Sequence, residues 1–137
     1  TWLRHYGWIF CRERAALLEK YKDRFLSKDV EVAAIGMGDS KSALEFSQKY
    51  DISFPIYIDM ARSSYELFEF PVQLGIGIST IFKAKQHFDK GFRQGVTQGS
   101  VLQQGGEILF DNGDIVFKNI ARKAGEHRDL EDILSCL

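Results

Sequence analysis

The residue best placed to do chemistry in this chain is Cys11. A short apolar run from Thr1 to Tyr6 ends at Gly7, and a strong helical pattern begins at Cys11. A cysteine in the first turn of a helix lies near free backbone N–H groups and near the positive end of the helix dipole, and both stabilise a thiolate. Because the thiolate is the nucleophilic form, this position predicts a reactive thiol.

Three basic residues near Cys11 are candidate helpers. Arg12 and Arg4 could stabilise the thiolate and a departing oxygen, and His5 could act as a proton partner. The sequence therefore gives a candidate catalytic set of Cys11, Arg12 and Arg4. The alternative is that Cys11 is a small buried hydrophobic residue, as many free cysteines are.

The composition excludes several classes of function. The chain has 137 residues and a formal net charge of −1, which fits one ordinary domain and gives no electrostatic reason to bind nucleic acid. No apolar run is long enough to cross a membrane. Two cysteines, Cys11 and Cys136, form no disulfide framework, and the chain starts without a secretory signal. We therefore expect a protein of the cytoplasm, or of a reducing organelle such as a plastid, that is not secreted.

No motif calls for a cofactor or a metal. Gly36-Met37-Gly38 follows an apolar run, but Lys41 stands where a dinucleotide fingerprint needs its third glycine. His87 and His127 are lone histidines without a partner at metal-ligand spacing, and no Cys/His cluster is present. A mildly basic face formed by Lys83, Lys85, Lys90 and Arg93 is expected to be solvated.

The elements that position Cys11 follow from hydrophobic periodicity and capping signals. Helix one is predicted from Cys11 to Ser27, with Cys11, Ala15, Leu18, Tyr21 and Phe25 on the core side. Arg14, Lys20, Lys22 and Asp23 are predicted to lie on its solvated face. Strands are predicted at residues 1–6, 30–35 and 54–58. A helix capped by Asp39 or Ser40 is predicted between the last two strands. A capping box from Ser63 to Glu66 predicts the start of a short helix that runs to Phe70.

The second half of the chain adds a hairpin and a last helix. An amphipathic helix containing Ile81, Phe88 and Phe92 is predicted within an insertion from Pro71 to Gly105. Residues 107–111 and 114–121 flank Asn112-Gly113, a dipeptide suited to a two-residue hairpin turn. Asp129 can cap a helix with Leu130, Ile133, Leu134 and Leu137 on its apolar face.

This order of elements predicts one α/β domain over residues 1–137 with a thioredoxin-like fold. Alternating strands and helices pair in parallel, and the C-terminal hairpin adds antiparallel strands. We therefore expect a mixed central sheet flanked by helices, with a β-hairpin and a helix at the C-terminal end.

Several motifs resemble one family. Leu3-Arg4-His5-Tyr6-Gly7-Trp8-Ile9-Phe10-Cys11-Arg12-Glu13 is similar to the Leu-Arg-His-Phe-Gly-Cys-x-x-Cys-Arg-Glu segment of peroxiredoxin-like proteins of the AhpC/TSA antioxidant superfamily, the group that includes the prostamide/prostaglandin F synthase type. Ile35-Gly36-x-Gly38, Ile58-Asp59-x-x-Arg62-x-x-Tyr65, Gln104-Gly105-Gly106 and Gly125-Glu126-His127 also agree. The resemblance covers nearly the whole chain, and it implies further sequence upstream of the first strand, so we expect a chain that lacks its native N-terminal extension.

The resemblance implies a one-cysteine thiol peroxidase. Trp8 stands where the family has its first motif cysteine, so no disulfide can close across that motif. The Thr-x-x-Cys of typical peroxiredoxins is absent as well, because Trp8 also occupies that threonine position. The implied substrate is a peroxide attacked by Cys11, and the implied reductant is a thioredoxin- or glutathione-type thiol.

Two other interpretations remain open. Cys136 could resolve Cys11 as a distant partner, although nothing in the sequence brings the two residues within bonding reach. Alternatively, the chain is a catalytically inactive thioredoxin-fold module in which Trp8 is an exposed anchor for a protein partner. The accessibility and pKa of Cys11 distinguish an enzyme from such a module. A Cys/His hydrolase is disfavoured because the sequence displays no orienting acid or oxyanion hole.

Overall fold

The computed structural model describes residues 1–73, 99–122 and 127–137. Within these ranges the elements are, in chain order, α1 (Ile9–Leu26), β1 (Ala34–Gly36), α2 (Ser40–Lys49), β2 (Ile56–Ile58), α3 (Ser63–Leu67), β3 (Gly106–Asp111), β4 (Asp114–Ile120) and α4 (Leu130–Ser135). The chain is thus a mixed α/β protein. The predicted helix containing Ile81, Phe88 and Phe92, the basic face that includes Lys83, and His87 lie outside the described residues.

Two short pairs of strands are connected through Trp2. β1 and β2 pair in parallel, with Ile35 opposite Tyr57, and β3 and β4 pair antiparallel. Trp2 forms a parallel bridge to Ile35 and an antiparallel bridge to Gly106. In the described part of the chain, this residue links the parallel pair to the hairpin.

The strand predicted over residues 1–6 is wrong beyond this bridge. The N–H of Leu3 donates to Ile35, but the N–H of Arg4 donates to the Cys11 Sγ, and the Trp8 N–H donates to the His5 carbonyl. The chain therefore turns toward α1 instead of extending the ladder. The strands predicted over 30–35 and 54–58 are likewise shorter in the structure, at Ala34–Gly36 and Ile56–Ile58.

The hairpin prediction is confirmed. Asn112 and Gly113 both have positive φ, at 49° and 93°, as the turn between β3 and β4 requires. A register shift between Leu109 and Phe110 marks an irregularity in the ladder. The hairpin was predictable because its signal is local.

Helix α1 presents the predicted apolar face to the core, with one error. Cys11, Ala15, Leu18 and Phe25 are buried in one hydrophobic cluster with residues of α2 and α4. Arg14, predicted to be solvated, is instead buried at 3% exposure and forms an ion pair with Glu107. The prediction that Arg14 is solvated is therefore wrong, because helical periodicity does not reveal a partner as distant in sequence as Glu107.

Two of the predicted caps are confirmed and one is wrong. Asp39 accepts the N–H of Ser42 at 2.8 Å, and Asp129 accepts the N–H of Glu131 at 3.0 Å. The residue before α3, however, is Arg62, which has a left-handed φ of 63° and makes no side-chain cap bond. The Asp59 carboxylate caps α3 instead, accepting the N–H groups of Ser63 and Ser64.

None of the described helices is both long and apolar enough to cross a membrane. Among the described residues there is also no group of His, Cys, Asp and Glu side chains that could hold a metal ion.

Candidate active site around Cys11

Cys11 is the third residue of α1, so the prediction that it lies in the first helical turn is confirmed. Trp8 occupies the N-cap position in an extended conformation and provides no side-chain cap bond. The Cys11 thiol accepts the backbone N–H of Arg4 at 3.2 Å. Its side chain is buried, at 3% exposure.

The pKa of Cys11 contradicts the expectation drawn from its position. Burial raises the pKa of this thiol to about 11, against the lowering effect of the His5 and Arg4 backbone hydrogen bonds and of the Arg4 charge. Cys11 therefore rests as a neutral thiol at neutral pH. Helical periodicity places Cys11 on the core side of α1, but it does not show that burial outweighs the effect of the helix position on the pKa.

Arg4 is the cation whose charge lowers the pKa of Cys11. Its guanidinium lies 4.6 Å from the ring centroid of Trp8, and its Nη2 donates to the carbonyl of Val101. The Nε and Nη1 groups of this residue, only 4% exposed, have no hydrogen-bond partner in the described part of the chain. Burial lowers the pKa of Arg4, while the proximity of Cys11 raises it. The arrangement leaves two N–H donors of Arg4 without a partner among the described residues, and the charge of Arg4 acts on the thiol.

His5 does not fit the role of a charged proton donor. Burial, and then the charges of Arg4 and Arg12, lower the pKa of His5 to about 4, so the imidazole is neutral at neutral pH. Its Nδ1 is buried without a hydrogen-bond partner among the described residues. The predicted role of His5 as a proton partner stays a prediction, with the imidazole in its neutral form at neutral pH.

Arg12 is directed toward the chain that precedes α1. Its Nε donates to the Tyr6 carbonyl at 2.8 Å, and its guanidinium carbon lies 5.8 Å from the centroid of the Tyr50 ring. Arg12 thus fixes the turn before α1. Its predicted electrostatic help to Cys11 stays a prediction.

Trp8 is half-buried, not a freely exposed anchor. Its ring packs beside His5 at 5.6 Å and Phe10 at 5.8 Å, in addition to the Arg4 guanidinium. Only part of this ring is available to a partner.

The second cysteine lies in a different setting. Cys136 is exposed at the C-terminal cap of α4, and its Sγ donates to the Asp132 carbonyl at 3.2 Å. Both cysteines are free thiols. The proposed resolving role of Cys136 stays a prediction.

Sequence reasoning missed a buried polar cluster around Glu107, whose charge raises the pKa of Cys11. Arg14 Nε lies 3.0 Å from Glu107 Oε1, which also lies 3.0 Å from His127 Nδ1, and Asn119 donates to Glu107 Oε2 at 2.8 Å. Burial alone would raise the pKa of Glu107, but His127, Arg14 and Asn119 together lower it to about 2. The prediction that His127 is a lone histidine is therefore wrong.

Sequence reasoning also missed how Tyr65 holds the segment before Cys11. The buried Tyr65 hydroxyl donates to the carbonyl of Leu3 at 2.6 Å and lies 3.2 Å from that of Ile35. The tyrosine thereby fixes the chain one residue before Arg4. The resemblance in the Ile58–Tyr65 segment was the signal that could have revealed it.

A mixed α/β fold with a free cysteine in the first turn of a helix is consistent with the thioredoxin-like class of proteins. The family model for the AhpC/TSA antioxidant enzyme matches residues 17–123, and the chain belongs to this family. The matched range begins after Cys11, so the family assignment depends on the sequence of residues 17–123 and not on this cysteine.

A similar protein is the thioredoxin-like protein AAED1, chloroplastic, of Arabidopsis thaliana, which is 28% identical over 145 residues. The match covers 96% of this chain but 58% of the relative, so the chain spans little more than half the length of the curated relative that it matches. No solved structure matches the chain.

Proposed function

We propose that this protein is a one-cysteine thiol peroxidase of the peroxiredoxin-like type, with Cys11 as its nucleophile. Membership of the AhpC/TSA antioxidant enzyme family supports a thiol-redox function. We also propose that the strands form the mixed central sheet of a thioredoxin-like fold, completed around Trp2. The same proposal places the protein in the prostamide/prostaglandin F synthase branch of the family.

The observation that carries this proposal is the buried guanidinium of Arg4. A buried cation with unpaired N–H groups is costly unless it meets an acceptor. The Nε and Nη1 groups of Arg4 lack such an acceptor in the described residues, and the charge of Arg4 acts on the Cys11 sulfur. A peroxide oxygen, or the thiolate formed during the reaction, would accept these hydrogen bonds.

The proposed reaction oxidises the sulfur and reduces the peroxide. After the Cys11 thiol loses its proton, the sulfur attacks the terminal oxygen of the hydroperoxide and the O–O bond breaks. Sulfur keeps this oxygen as a sulfenic acid, and the remaining alkoxide takes up the proton and leaves as an alcohol, or as water when hydrogen peroxide is the substrate. Arg4 stabilises the developing negative charge on the leaving oxygen.

Two external thiols would complete the cycle. The first condenses with the sulfenic acid, giving a mixed disulfide and water, and the second releases Cys11 as a thiol and leaves as the oxidised disulfide. We propose a thioredoxin- or glutathione-type reductant for this step. A reducing compartment is part of the proposal, and the chloroplastic relative favours a plastid over the cytoplasm.

The burial of Cys11 favours a second candidate function. A thiol that is 3% exposed, with its pKa raised to about 11, is the state expected of an inactive thioredoxin-fold module. In that case the partly accessible Trp8 ring would contribute to a binding surface. The two candidates differ in whether Cys11 reacts faster than an ordinary thiol.

The two cysteines of this chain allow that comparison within one molecule. The protein is treated with stoichiometric hydrogen peroxide at neutral pH in the presence of dimedone, and labelling of each cysteine is followed by peptide mass spectrometry. We expect Cys11, although buried, to be labelled faster than the exposed Cys136, and we expect Arg4→Met to slow the labelling of Cys11 roughly a hundredfold.

Controls separate the chemistry from damage to the fold. Cys11→Ser identifies the labelled site, and Arg24→Met, which removes an exposed arginine paired with Glu131, should leave the Cys11 rate unchanged. Faster labelling of Cys136 than of Cys11 would contradict the peroxidase proposal and favour the binding module.

A further inference from the structure

Tyr65 in α3 is a tyrosine whose position the core fixes closely. Its exposure is 0%, and its ring centroid lies 5.9 Å from that of Phe70. Trp2 and Met37 belong to the same buried cluster. Close packing around a ring leaves its hydroxyl oxygen little freedom to change partners. The contacts of this hydroxyl are therefore a fixed property of the fold.

The Tyr65 hydroxyl donates to the Leu3 carbonyl. The two oxygens lie 2.6 Å apart, whereas the Ile35 carbonyl is 3.2 Å from the hydroxyl. A hydroxyl has a single proton to donate, and the shorter contact takes it. The N–H of Leu3 in turn donates to the Ile35 carbonyl at 2.8 Å. Both backbone polar groups of Leu3 are therefore bonded.

The peptide group that accepts this bond contacts Cys11 from its other side. The Leu3 carbonyl and the Arg4 N–H belong to one planar unit and point in opposite directions. The Arg4 N–H donates to the Cys11 Sγ at 3.2 Å. Two hydrogen bonds thus lie in series, from Tyr65 through the peptide group to the sulfur. Hydrogen bonds in series polarise one another, so donation to the carbonyl strengthens donation by the N–H.

We propose that Tyr65 is a positioning residue for Cys11, which acts through the peptide group between Leu3 and Arg4 to hold and strengthen the hydrogen bond that the sulfur accepts. We call these two bonds in series the Tyr65 relay. The relay stabilises the sulfur most when the sulfur is negatively charged, because charged acceptors form the stronger hydrogen bonds. Its importance for peroxide reduction rests on the function proposed above, whereas its effect on the thiol does not.

The Tyr65 relay differs from the charges that act on Cys11. The charge of Arg4 favours the thiolate and the charge of Glu107 opposes it. Tyr65 itself is neutral, because its pKa is raised well above the usual range by burial first and then by the titratable groups that face it: Cys11, Tyr6 and Asp59. At neutral pH the phenol therefore keeps the proton that it donates to the carbonyl.

Two replacements of Tyr65 change the relay in opposite directions. Tyr65→Phe removes the hydroxyl and keeps the packed ring, so it should weaken the hydrogen bond from Arg4 to Cys11. Fluorotyrosine in place of Tyr65 has a more acidic phenol, which is a stronger donor, so it should strengthen that bond. NMR follows the amide proton of Arg4, which moves downfield as its hydrogen bond strengthens. We expect an upfield shift in Tyr65→Phe and a downfield shift in the fluorotyrosine protein.

The Cys11 thiol provides a second measurement, in a Cys136→Ser background. The NMR chemical shift of the Cys11 Cβ, followed as a function of pH, reports the formation of the thiolate. Tyr65→Phe should raise the pH at which the thiolate begins to form by about half a unit, equivalent to about threefold less thiolate at a given pH. The fluorotyrosine protein should show the opposite change.

Tyr6→Phe is the matched control for these replacements. It removes a phenol hydroxyl from the buried cluster that contains Cys11, and this hydroxyl has no hydrogen-bond partner among the described residues. The Arg4 amide should therefore keep its shift. The proposal would be overturned by no shift in either Tyr65 replacement, by shifts in the same direction in both, or by an equal shift in Tyr6→Phe.

A further comparison separates the relay from the proposed function. In the peroxide and dimedone assay, Tyr65→Phe should slow the labelling of Cys11 about threefold. If Cys11 is labelled no faster than Cys136 while the two Tyr65 replacements shift the Arg4 amide in opposite directions, the peroxidase proposal is wrong and the relay is supported. If Tyr65→Phe does not fold, the fluorotyrosine protein decides: a downfield shift supports the relay, and an unchanged or upfield shift overturns it.

Discussion

At the scale of single residues, Cys11 shows how two physical effects compete at one atom. The first turn of α1 and the N–H groups of His5 and Arg4 favour a thiolate, whereas burial disfavours it, and burial prevails. Position in a helix is a local property that sequence reveals. Helical periodicity gives the core-facing side of Cys11, but complete burial also depends on residues distant in sequence that share its cluster, such as Ala43 and Leu130.

The raised pKa of Cys11 predicts a steep pH dependence of alkylation. Because the pKa is about 11, the thiolate fraction should increase roughly tenfold per pH unit from neutral pH to about pH 10. The measurement is the rate of iodoacetamide modification, followed by mass spectrometry in a Cys136→Ser background so that one thiol is observed.

Removing the Arg4 charge should make this reaction slower still. Arg4 lowers the pKa of Cys11, so Arg4→Met is expected to reduce the alkylation rate at a given pH by about tenfold, equivalent to about one pKa unit. In the protein that keeps Arg4, a Cys11 alkylation rate that is already constant between pH 7 and about pH 9 would contradict the raised pKa of Cys11.

At the scale of elements, α3 shows why a capping motif can mislead. Ser63 and Glu66 have the spacing of a capping box, but Arg62 takes the N-cap position and the Asp59 carboxylate serves the free N–H groups. Asp59 also accepts the Ser64 hydroxyl at 2.6 Å, and that hydroxyl in turn accepts the N–H of the Trp2 indole at 2.9 Å. The cap is thereby tied to the residue that joins the sheets.

We expect Asp59→Ala to destabilise the protein by about 1–2 kcal/mol, because it removes a cap with several acceptor bonds. Glu66→Ala, which alters the other residue of the apparent capping box, should cost about 0.5 kcal/mol or less, as for an ordinary exposed substitution. Urea unfolding of both variants gives the comparison. Similar losses in the two variants would restore the capping-box interpretation.

At the scale of the whole molecule, the Glu107 cluster connects parts of the chain that are far apart in sequence. Arg14 belongs to α1, Glu107 to β3 and Asn119 to β4, and His127 precedes α4. The Arg14 Nη1 also donates to the carbonyl of Arg128 at 2.8 Å. The cluster therefore holds the hairpin and the last helix against the helix that carries Cys11.

This cluster predicts a loss of stability in acid. The folded pKa of Glu107, about 2, lies below its ordinary value of 4.5, so its contribution is complete above about pH 5 and is lost as the pH falls toward 2. The shift corresponds to about 3 kcal/mol. Urea unfolding across this range should show a decreasing free energy of unfolding.

Two variants test whether Glu107 is responsible. Glu107→Gln should lower stability at neutral pH by about 3 kcal/mol or more, because Arg14 is left buried without its charged partner, and it should flatten the acid dependence. His127→Gln keeps the ion pair with Arg14 but removes a partner that lowers the Glu107 pKa, so its acid loss should be smaller and should be complete at a higher pH. An unchanged acid profile in both variants would assign the effect to other carboxylates.

The sequence predicts a feature most reliably when the residues that form it are close together along the chain. Asn112-Gly113, Asp39 and Asp129 act on neighbours within a few residues, and each prediction made from them is confirmed. The predictions for Arg14 and His127 are wrong because their partner, Glu107, is distant in sequence. The strand predicted over residues 1–6 is wrong for another reason, since the chain turns toward α1 after Leu3. Helical periodicity gives the core face of α1 but does not reveal a buried counter-ion.

The Trp2 bridge also has a consequence for the order of folding. Residues at the start of the chain bond to Gly106, and the Thr1 hydroxyl reaches its carbonyl across 105 positions. Contacts of such high sequence separation form late because a long loop must close first. Helix α1 can form early from its own residues, but we expect Trp2 to reach its final position only once Gly106 is in place. We therefore expect Cys11 to reach its native surroundings only after the last third of the chain has been synthesised.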